Sequence, residues 1–287
     1  MRLVSRPAAM RELSRRARRS GESIGFVPTM GALHAGHLSL MRRARRENRR
    51  LAVSVFVNPL QFGPHEDFAR YPRNELQDLR LSREEGCDWL FMPSPRGIYP
   101  PGFATRVVPG PIGDQWEGAA RPGHFGGVLT VVLKLLEMVE PDTIYLGQKD
   151  AQQAALVTQM VRDLDLPVRV VVCPTVRERD GLALSSRNVF LTASERERAR
   201  GIVVALRAGK QVARAGRRDA AAIVAETRRA LVREAAPDRI DYVGVVDPKS
   251  FEPLPRLTRR GLLIAAVRIG KTRLIDNMPI VAPGGGR

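Results

Sequence analysis

Ile24-Gly25-Phe26-Val27-Pro28-Thr29-Met30-Gly31-Ala32-Leu33-His34-Ala35-Gly36-His37 is the stretch on which the fold turns. An apolar run over residues 24–29 ends in Pro28-Thr29-Met30-Gly31, and an Arg-rich amphipathic segment, residues 36–48, follows. That order predicts a strand, a glycine turn and a helix. The alternation continues: residues 51–57 are apolar and β-branched, residues 58–63 read as a loop, 73–85 as a helix and 89–92 as a short strand. Strands alternating with helices predict a parallel sheet covered on its faces, an α/β fold.

Past a Pro/Gly-rich passage, residues 93–111, the chain is apolar almost all round over 125–139, as in a buried helix. A strand over 142–146, a helix over 151–163 with Asp150 as its N-cap, and a strand over 168–173 complete the alternation. Composition changes near Val176. From Thr192 the chain is helical and charged, opening with the capping box Thr192-Ala193-Ser194-Glu195. Residues 239–246, 262–267 and 272–275 then predict a small sheet carrying two helices. The expected division is residues 1–175, a larger α/β unit, and 176–287, a smaller α+β unit, in keeping with a length of 287 residues. The tail, 283–287, is expected to fray.

A hydrophobic share of 44% and a charged share of 27% are those of a globular chain, and 5% aromatic residues argue against a base-stacking platform. The formal charge of +17 admits an RNA partner, anionic small substrates or merely arginine on solvated helix faces. Residues 11–19, 42–50 and 196–233 alternate Arg with Ala, Leu and Glu, as solvated faces do, and no common RNA-binding module is present. No nucleic-acid partner is expected. Cys87 and Cys173 are far apart and outside any Cys-x-x-Cys pattern, so neither a disulfide framework nor a zinc ribbon is supported and a reducing cytoplasm fits. Residues 1–10 lack the apolar core of a signal peptide, and the longest apolar stretch, 128–139, is broken by Lys134 and Glu137, so no membrane span is expected.

His34-Ala35-Gly36-His37 lies at the carboxyl end of the first strand of this alternation, where parallel sheets place ligands. Gly31 and Gly36 would let backbone approach a phosphate, and a helix starting near Gly36 would offer N–H groups and the positive end of its dipole. Imidazoles at i and i+3 share one side of that turn and suit donation to phosphate oxygens. The spacing alone also admits a structural pair or half of a metal site, although no pairing with His65 or His124 has zinc spacing. Gly147-Gln148-Lys149-Asp150 follows a strand and would put the Lys149 charge at a phosphate, or be a solvated turn. Leu184-Ser185-Ser186-Arg187-Asn188 suits a phosphate clamp through Arg187, or is an ordinary turn. Gln61 and Gln153 are amides able to read hydroxyl and carboxylate groups. Gly270-Lys271-Thr272 imitates the end of a P-loop, but Ala265 stands where its first glycine belongs and the segment is strand-like.

Residues 28–37, Val57-Asn58-Pro59-Leu60-Gln61-Phe62-Gly63, Arg121-Pro122-Gly123-His124-Phe125, Gly147-Gln148-Lys149-Asp150-Ala151-Gln152-Gln153 and 184–188, in this order and spacing, resemble the pantothenate synthetases (pantoate–β-alanine ligases) over nearly the whole chain. Position 35 is Ala where many members carry an acidic residue, and His65 stands where Asn is common and is given no role. The resemblance implies a Rossmann-like nucleotidylyl-transferase domain with a parallel sheet, a smaller C-terminal lid, and a homodimer. It implies ATP as co-substrate with Mg2+, and pantoate and β-alanine joined through a pantoyl-adenylate. Met30, Gly31, Ala32, Leu33, His34, Ala35, Gly36 and His37 would bind ATP together with Gly147, Gln148, Lys149, Asp150, Val176, Leu184, Ser185, Ser186 and Arg187. His37 would act as proton donor beside His34, Lys149 and Arg187, while Gln61, Gln153 and Asn58 would hold pantoate and Gln61 would also face β-alanine; the metal ligands stay unassigned. Two competitors are a different adenylyl- or cytidylyl-transferase, which needs no second amide-lined pocket, and a tRNA-binding relative of class I synthetases, for which no anticodon-binding helical domain follows Arg187.

Overall fold

A computed structural model describes residues 1–64 and 66–283, so the expectations for His65 and for the tail beyond Pro283 lie outside the described residues. The chain falls into two compact units, Met1–Gly147 with Leu156–Pro174, and Gln148–Ala155 with Thr175–Arg287.

The first unit opens with β1 (Arg2–Val4) and α1 (Pro7–Arg19). It continues through β2 (Ile24–Thr29), α2 (Ala35–Glu47), β3 (Arg50–Val55), α3 (Glu75–Glu84), β4 (Trp89–Phe91), the short helices α4 (Pro95–Ile98) and α5 (Glu117–Ala120), α6 (His124–Val139) and β5 (Thr143–Gly147). Helix α7 (Ala151–Asp163) leads into β6 (Arg169–Cys173). Six parallel strands lie in the order β1-β4-β3-β2-β5-β6. The predicted α/β class with a parallel sheet is borne out. Strand β1 escapes the sequence because three residues carry no periodicity; it pairs along β4.

The strand order places the site. From β2 the chain steps one way to β3 and β4, then returns to lay β5 on the other side of β2. Ligands of open α/β sheets bind at such a reversal, beyond the carboxyl ends of the strands. The pairing shows why there is room: β2 pairs with β3 from Ile24 to Thr29, but with β5 only at Gly25 and Phe26. Pro28, which has no N–H to give, falls where β2 has parted from β5. Phe26, Val27, Met41, Leu51, Leu90 and Tyr145 are buried without measurable exposure and fix the sheet and α2 beneath that crevice. The arginines of α2 and the segment after it largely face carboxylates, with Arg45 2.7 Å from Asp88 and Arg50 2.8 Å from Glu22. These are solvated pairs, each contributing little to stability.

The second unit carries α8 (Ala193–Arg214) and α9 (Ala220–Ala230), a π-helical turn at Leu231–Ala235, and an antiparallel sheet β7-β8-β9 (Arg239–Val246, Arg260–Ile269, Thr272–Val281). The capping box at Thr192 and Glu195 is present. Leu206, Ile223, Leu263 and Ile280 form part of its core. Gly270 and Lys271 make the tight turn of the β8–β9 hairpin, which pairs Ile269 with Thr272, so the Gly-Lys-Thr triplet opens no helix. Strand β9 runs well past residue 275. Its polar Asp276 and Asn277 break the apolar pattern because both serve buried contacts described below. Among the described residues no helix is long and apolar enough to cross a membrane.

Candidate active site

Strand β2 leaves the sheet through two residues in left-handed conformation, Gly31 (φ 82°) and Ala32 (φ 49°). A buried carboxylate holds them there. Asp78, on α3, accepts the Ala32 N–H at 3.0 Å and the Leu33 N–H at 2.8 Å, one on each oxygen. Thr29 donates its hydroxyl to the Ser54 carbonyl at 2.7 Å and accepts the Gly31 N–H at 3.1 Å. A side chain at Gly31 would meet Asp78 Oδ2 at 2.8 Å and Val55 Cγ1 at 2.9 Å, so glycine is required for space as well as for φ. Burial outweighs the two N–H bonds and holds the Asp78 pKa above the ordinary carboxylate value.

The histidines then form an unusual capping box. His34 is the N-cap of α2 and its Nδ1 accepts the Gly36 N–H at 3.1 Å, while His37 Nδ1 accepts the His34 N–H at 3.4 Å. Each Nδ1 is therefore an acceptor, and each neutral ring carries its proton on Nε2. The rings lie with centroids 4.1 Å apart and planes inclined by 34°. The sequence reading opens the first N–H groups of this helix to phosphate; the Gly36 N–H is instead engaged by His34, and the N–H groups of residues 31–34 before it by Thr29, Asp78 and His37. The imidazoles and the α2 dipole are groups at this corner suited to an anion.

Gln61 lies beside this corner, its Nε2 3.1 Å from Met30 Sδ. It sits in a short 3-10 turn, Pro59–Gln61, capped by Asn58, whose Oδ1 accepts the Leu60 N–H at 3.2 Å. Asn58 Nδ2 donates to Gln61 Oε1 at 3.0 Å and to the Gly127 carbonyl at 3.1 Å, and the Tyr99 hydroxyl donates to Asn58 Oδ1 at 2.7 Å. The turn is also held from α6 and its approach. His124 Nδ1 is 2.8 Å from the Gln61 carbonyl oxygen, Arg121 Nη1 is 2.9 Å from His124 Nε2, and Arg121 pairs with Glu66 at 2.6 Å.

That chain of contacts fixes the state of His124. A carbonyl only accepts and a guanidinium only donates, so Nδ1 carries the proton, Nε2 does not, and the ring is neutral. Burial first, and the Arg121 cation second, lower its pKa to about 4. The folded pKa lies below the ordinary value near 6.5, so the neutral ring stabilises the fold above about pH 6.5 and that stability is lost as pH falls toward 4. By pH 5 the loss should reach roughly 2 kcal/mol. His124→Asn keeps an amide N–H for the Gln61 carbonyl and cannot charge. Urea unfolding at pH 7 and pH 5 should show a smaller drop for the variant, and equal drops would contradict the assignment.

Of the remaining predicted site residues, Gly147 ends β5 in the first unit and the others belong to the second. Asn277, buried on β9, donates to the carbonyls of Gln148 and Lys149 at 2.8 and 3.0 Å, and its Oδ1 accepts from the Gln148 amide at 3.2 Å. Its neighbour Asp276 accepts both arms of Arg177 at 2.6 and 2.8 Å. Asp150 ends a 3-10 turn, Gln148–Asp150, that runs into α7, and Gln153 lies in the first turn of that helix. Val176 and Leu184 face each other across a hairpin, the Leu184 N–H 3.1 Å from the Val176 carbonyl. Ser185 caps the turn Ser186–Phe190, accepting the Arg187 N–H at 3.3 Å. Asn188 ties that turn to the Ala183 carbonyl at 3.1 Å. The turns bearing Lys149 and Arg187 both pack on β9. Among the described residues no three His, Cys, Asp or Glu side chains converge as metal ligands.

A parallel sheet reversing at β2 and β5, with two imidazole donors and an amide at the first corner, defines an α/β enzyme of the nucleotidylyl-transferase type. The pantoate-beta-alanine ligase family model matches residues 2–279, and the chain belongs to that family, whose members join pantoate to β-alanine at the expense of ATP. The pantothenate synthetase of Chloroflexus aurantiacus is 52% identical over 271 residues, 94% of this chain and 96% of that protein. That of Herpetosiphon aurantiacus is 51% identical over 265 residues, 92% of this chain and 96% of that one. A Thermus thermophilus pantothenate synthetase structure superposes with a TM-score of 0.91 at 49% identity, covering 97% of this chain and 99% of the other. A Francisella tularensis pantoate–β-alanine ligase, complexed with beta-gamma ATP and β-alanine, matches at 37% identity with a TM-score of 0.80 and covers 97% of each chain.

Proposed function

We propose that the ligation runs through a pantoyl-adenylate for which the β2–α2 corner supplies the hydrogen-bond donors. A pantoate carboxylate oxygen attacks the α-phosphorus of ATP, pyrophosphate leaves, and the β-alanine amine then attacks the mixed anhydride to release AMP. Such a displacement calls for positioning and positive charge more than for a covalent nucleophile. Met30 to His37 bind ATP, with His37 and His34 donating Nε2–H to the charge that develops on the leaving pyrophosphate. Lys149 adds a point charge and Arg187 a bidentate clamp with Ser185 and Ser186, while Gly147, Gln148, Asp150, Val176 and Leu184 complete the nucleotide contacts. Gln61, Gln153 and Asn58 hold pantoate, and Gln61 also faces β-alanine. Residues 1–175 bind the substrates and 176–287 act as a lid that keeps water from the anhydride. ATP would enter with magnesium, which would bring positive charge to its phosphate oxygens; the protein ligands of the ion stay unassigned. The enzyme is read as a cytoplasmic homodimer without a nucleic-acid or membrane partner; its two buried free thiols support the reducing compartment.

The observation that carries the reading is the shared placement, at the carboxyl end of β2, of two imidazoles with protonated Nε2 and the Gln61 amide. Isotope exchange between pyrophosphate and ATP tests it. Exchange should require pantoate and proceed without β-alanine; exchange that waits for β-alanine would rule out a free-standing adenylate. Light scattering should give a mass of two chains.

A further inference from the structure

The Gln61 amide has one sense open to it, and backbone groups impose that sense. The Leu60 N–H, 3.2 Å from Asn58 Oδ1, can only donate, and the Gly127 carbonyl, 3.1 Å from Nδ2, can only accept, so the Asn58 amide cannot be turned over. Its Nδ2 then donates to Gln61 at 3.0 Å, and the Gln61 atom facing it has to be Oε1. The Gln61 NH2 is thereby turned to Met30, the first residue of the β2–α2 corner. The Tyr99 hydroxyl occupies the last position on Asn58, 2.7 Å from Oδ1, so all four hydrogen-bonding positions of that amide are filled by protein groups. The Tyr99 ring lies against Phe56 and Phe103, at 6.2 and 5.0 Å between centroids. Burial raises the phenol pKa, which keeps the hydroxyl a donor at any working pH.

We propose that Tyr99 is a positioning residue for the ligation: its hydroxyl completes the hydrogen bonds that hold Asn58 in place, and through Asn58 it steadies Gln61 with N–H groups toward the corner, where they meet acceptor oxygens of the acid substrate. The inference rests on the reading above that Gln61 holds pantoate. It makes Asn58 a support rather than a contact.

Tyr99→Phe removes one hydroxyl and leaves the ring packing in place. In pantoate-dependent pyrophosphate exchange, KM for pantoate should rise about fivefold to tenfold, the scale of one positioned neutral hydrogen bond. Turnover and KM for ATP should stay within about twofold, since neither depends on the sense of the Gln61 amide. Asn58→Asp keeps the acceptor for Tyr99 but replaces the donor, so Gln61 turns its oxygen to the corner; KM for pantoate should rise by about a hundredfold. Thermal midpoints of both variants separate these effects from loss of the fold. An unchanged pantoate KM in Tyr99→Phe, or equal losses for pantoate and ATP, overturns the inference alone. Absence of exchange in the unmodified enzyme overturns the functional reading and the inference with it.

Discussion

Replacing His37 by Ala should lower the rate of pantoate adenylation by about a hundredfold to a thousandfold, the usual cost of removing one donor from developing negative charge. The backbone of the corner is already committed, with the Ala32 and Leu33 N–H groups on Asp78 and the Gly36 N–H on His34. Little remains there to take over for a lost imidazole. His37 also accepts the His34 N–H, so the Ala variant loses part of a helix cap, a stability effect of about 1 kcal/mol. Gln tells the two roles apart. At this third helical position Gln is an ordinary capping-box residue and should restore the cap, but its shorter amide does not reproduce the reach of Nε2–H. The expected result is a His37→Gln enzyme with a normal melting temperature and a rate still depressed at least tenfold. Recovery of both would show that His37 serves the helix and not the phosphates.

Much of this corner is legible in the sequence because its cues are local. The apolar run 24–29, the glycine after it and the amphipathic segment behind it lie within two dozen residues, and each obeys its own periodicity. What the sequence hides is long-range. Asp78 sits in α3 as one acidic residue among several, and nothing near it says that it receives the N–H groups of Ala32 and Leu33. Asn277 interrupts an apolar run and shortens the strand one would draw, yet that interruption is the grip on Gln148 and Lys149. His124 stands inside a recognisable motif, but its neutral state follows only from the carbonyl on one side and the guanidinium on the other. The passage of Gln148–Ala155 into the second unit leaves no compositional mark, since those residues read as a turn and the start of a helix wherever they pack. Sequence thus discloses elements and the residues able to do chemistry. The donors and acceptors that fix the sense of those residues come from elsewhere in the chain.

Gly127→Ala should cost more than any other conservative change on α6, even though Ala is normally the better helix former by about 1 kcal/mol. A Cβ at 127 would collide with the Leu60 carbonyl and stand 2.6 Å from the Gln61 nitrogen, so the obstacle is backbone, which no rotamer change relieves. Either α6 or the Pro59–Gln61 turn has to move, at roughly 1–3 kcal/mol or somewhat more. A shift of the turn carries Gln61 with it, and misplacement of a substrate-holding group by about 1 Å can cost a hundredfold in rate. It also pulls the Gly127 carbonyl away from Asn58 Nδ2, the contact that sets the sense of both amides. The neighbouring glycine provides the control. A Cβ at Gly126 would lie 3.6 Å from the Val107 carbonyl, an ordinary contact, so Gly126→Ala should be neutral or stabilise by up to about 1 kcal/mol with activity intact. The pair is read by thermal unfolding and by kcat/KM for pantoate. If the two variants behave alike, the close approach of α6 to the Gln61 turn is not what holds the amide in place, and its position must be set by Asn58 and His124 alone.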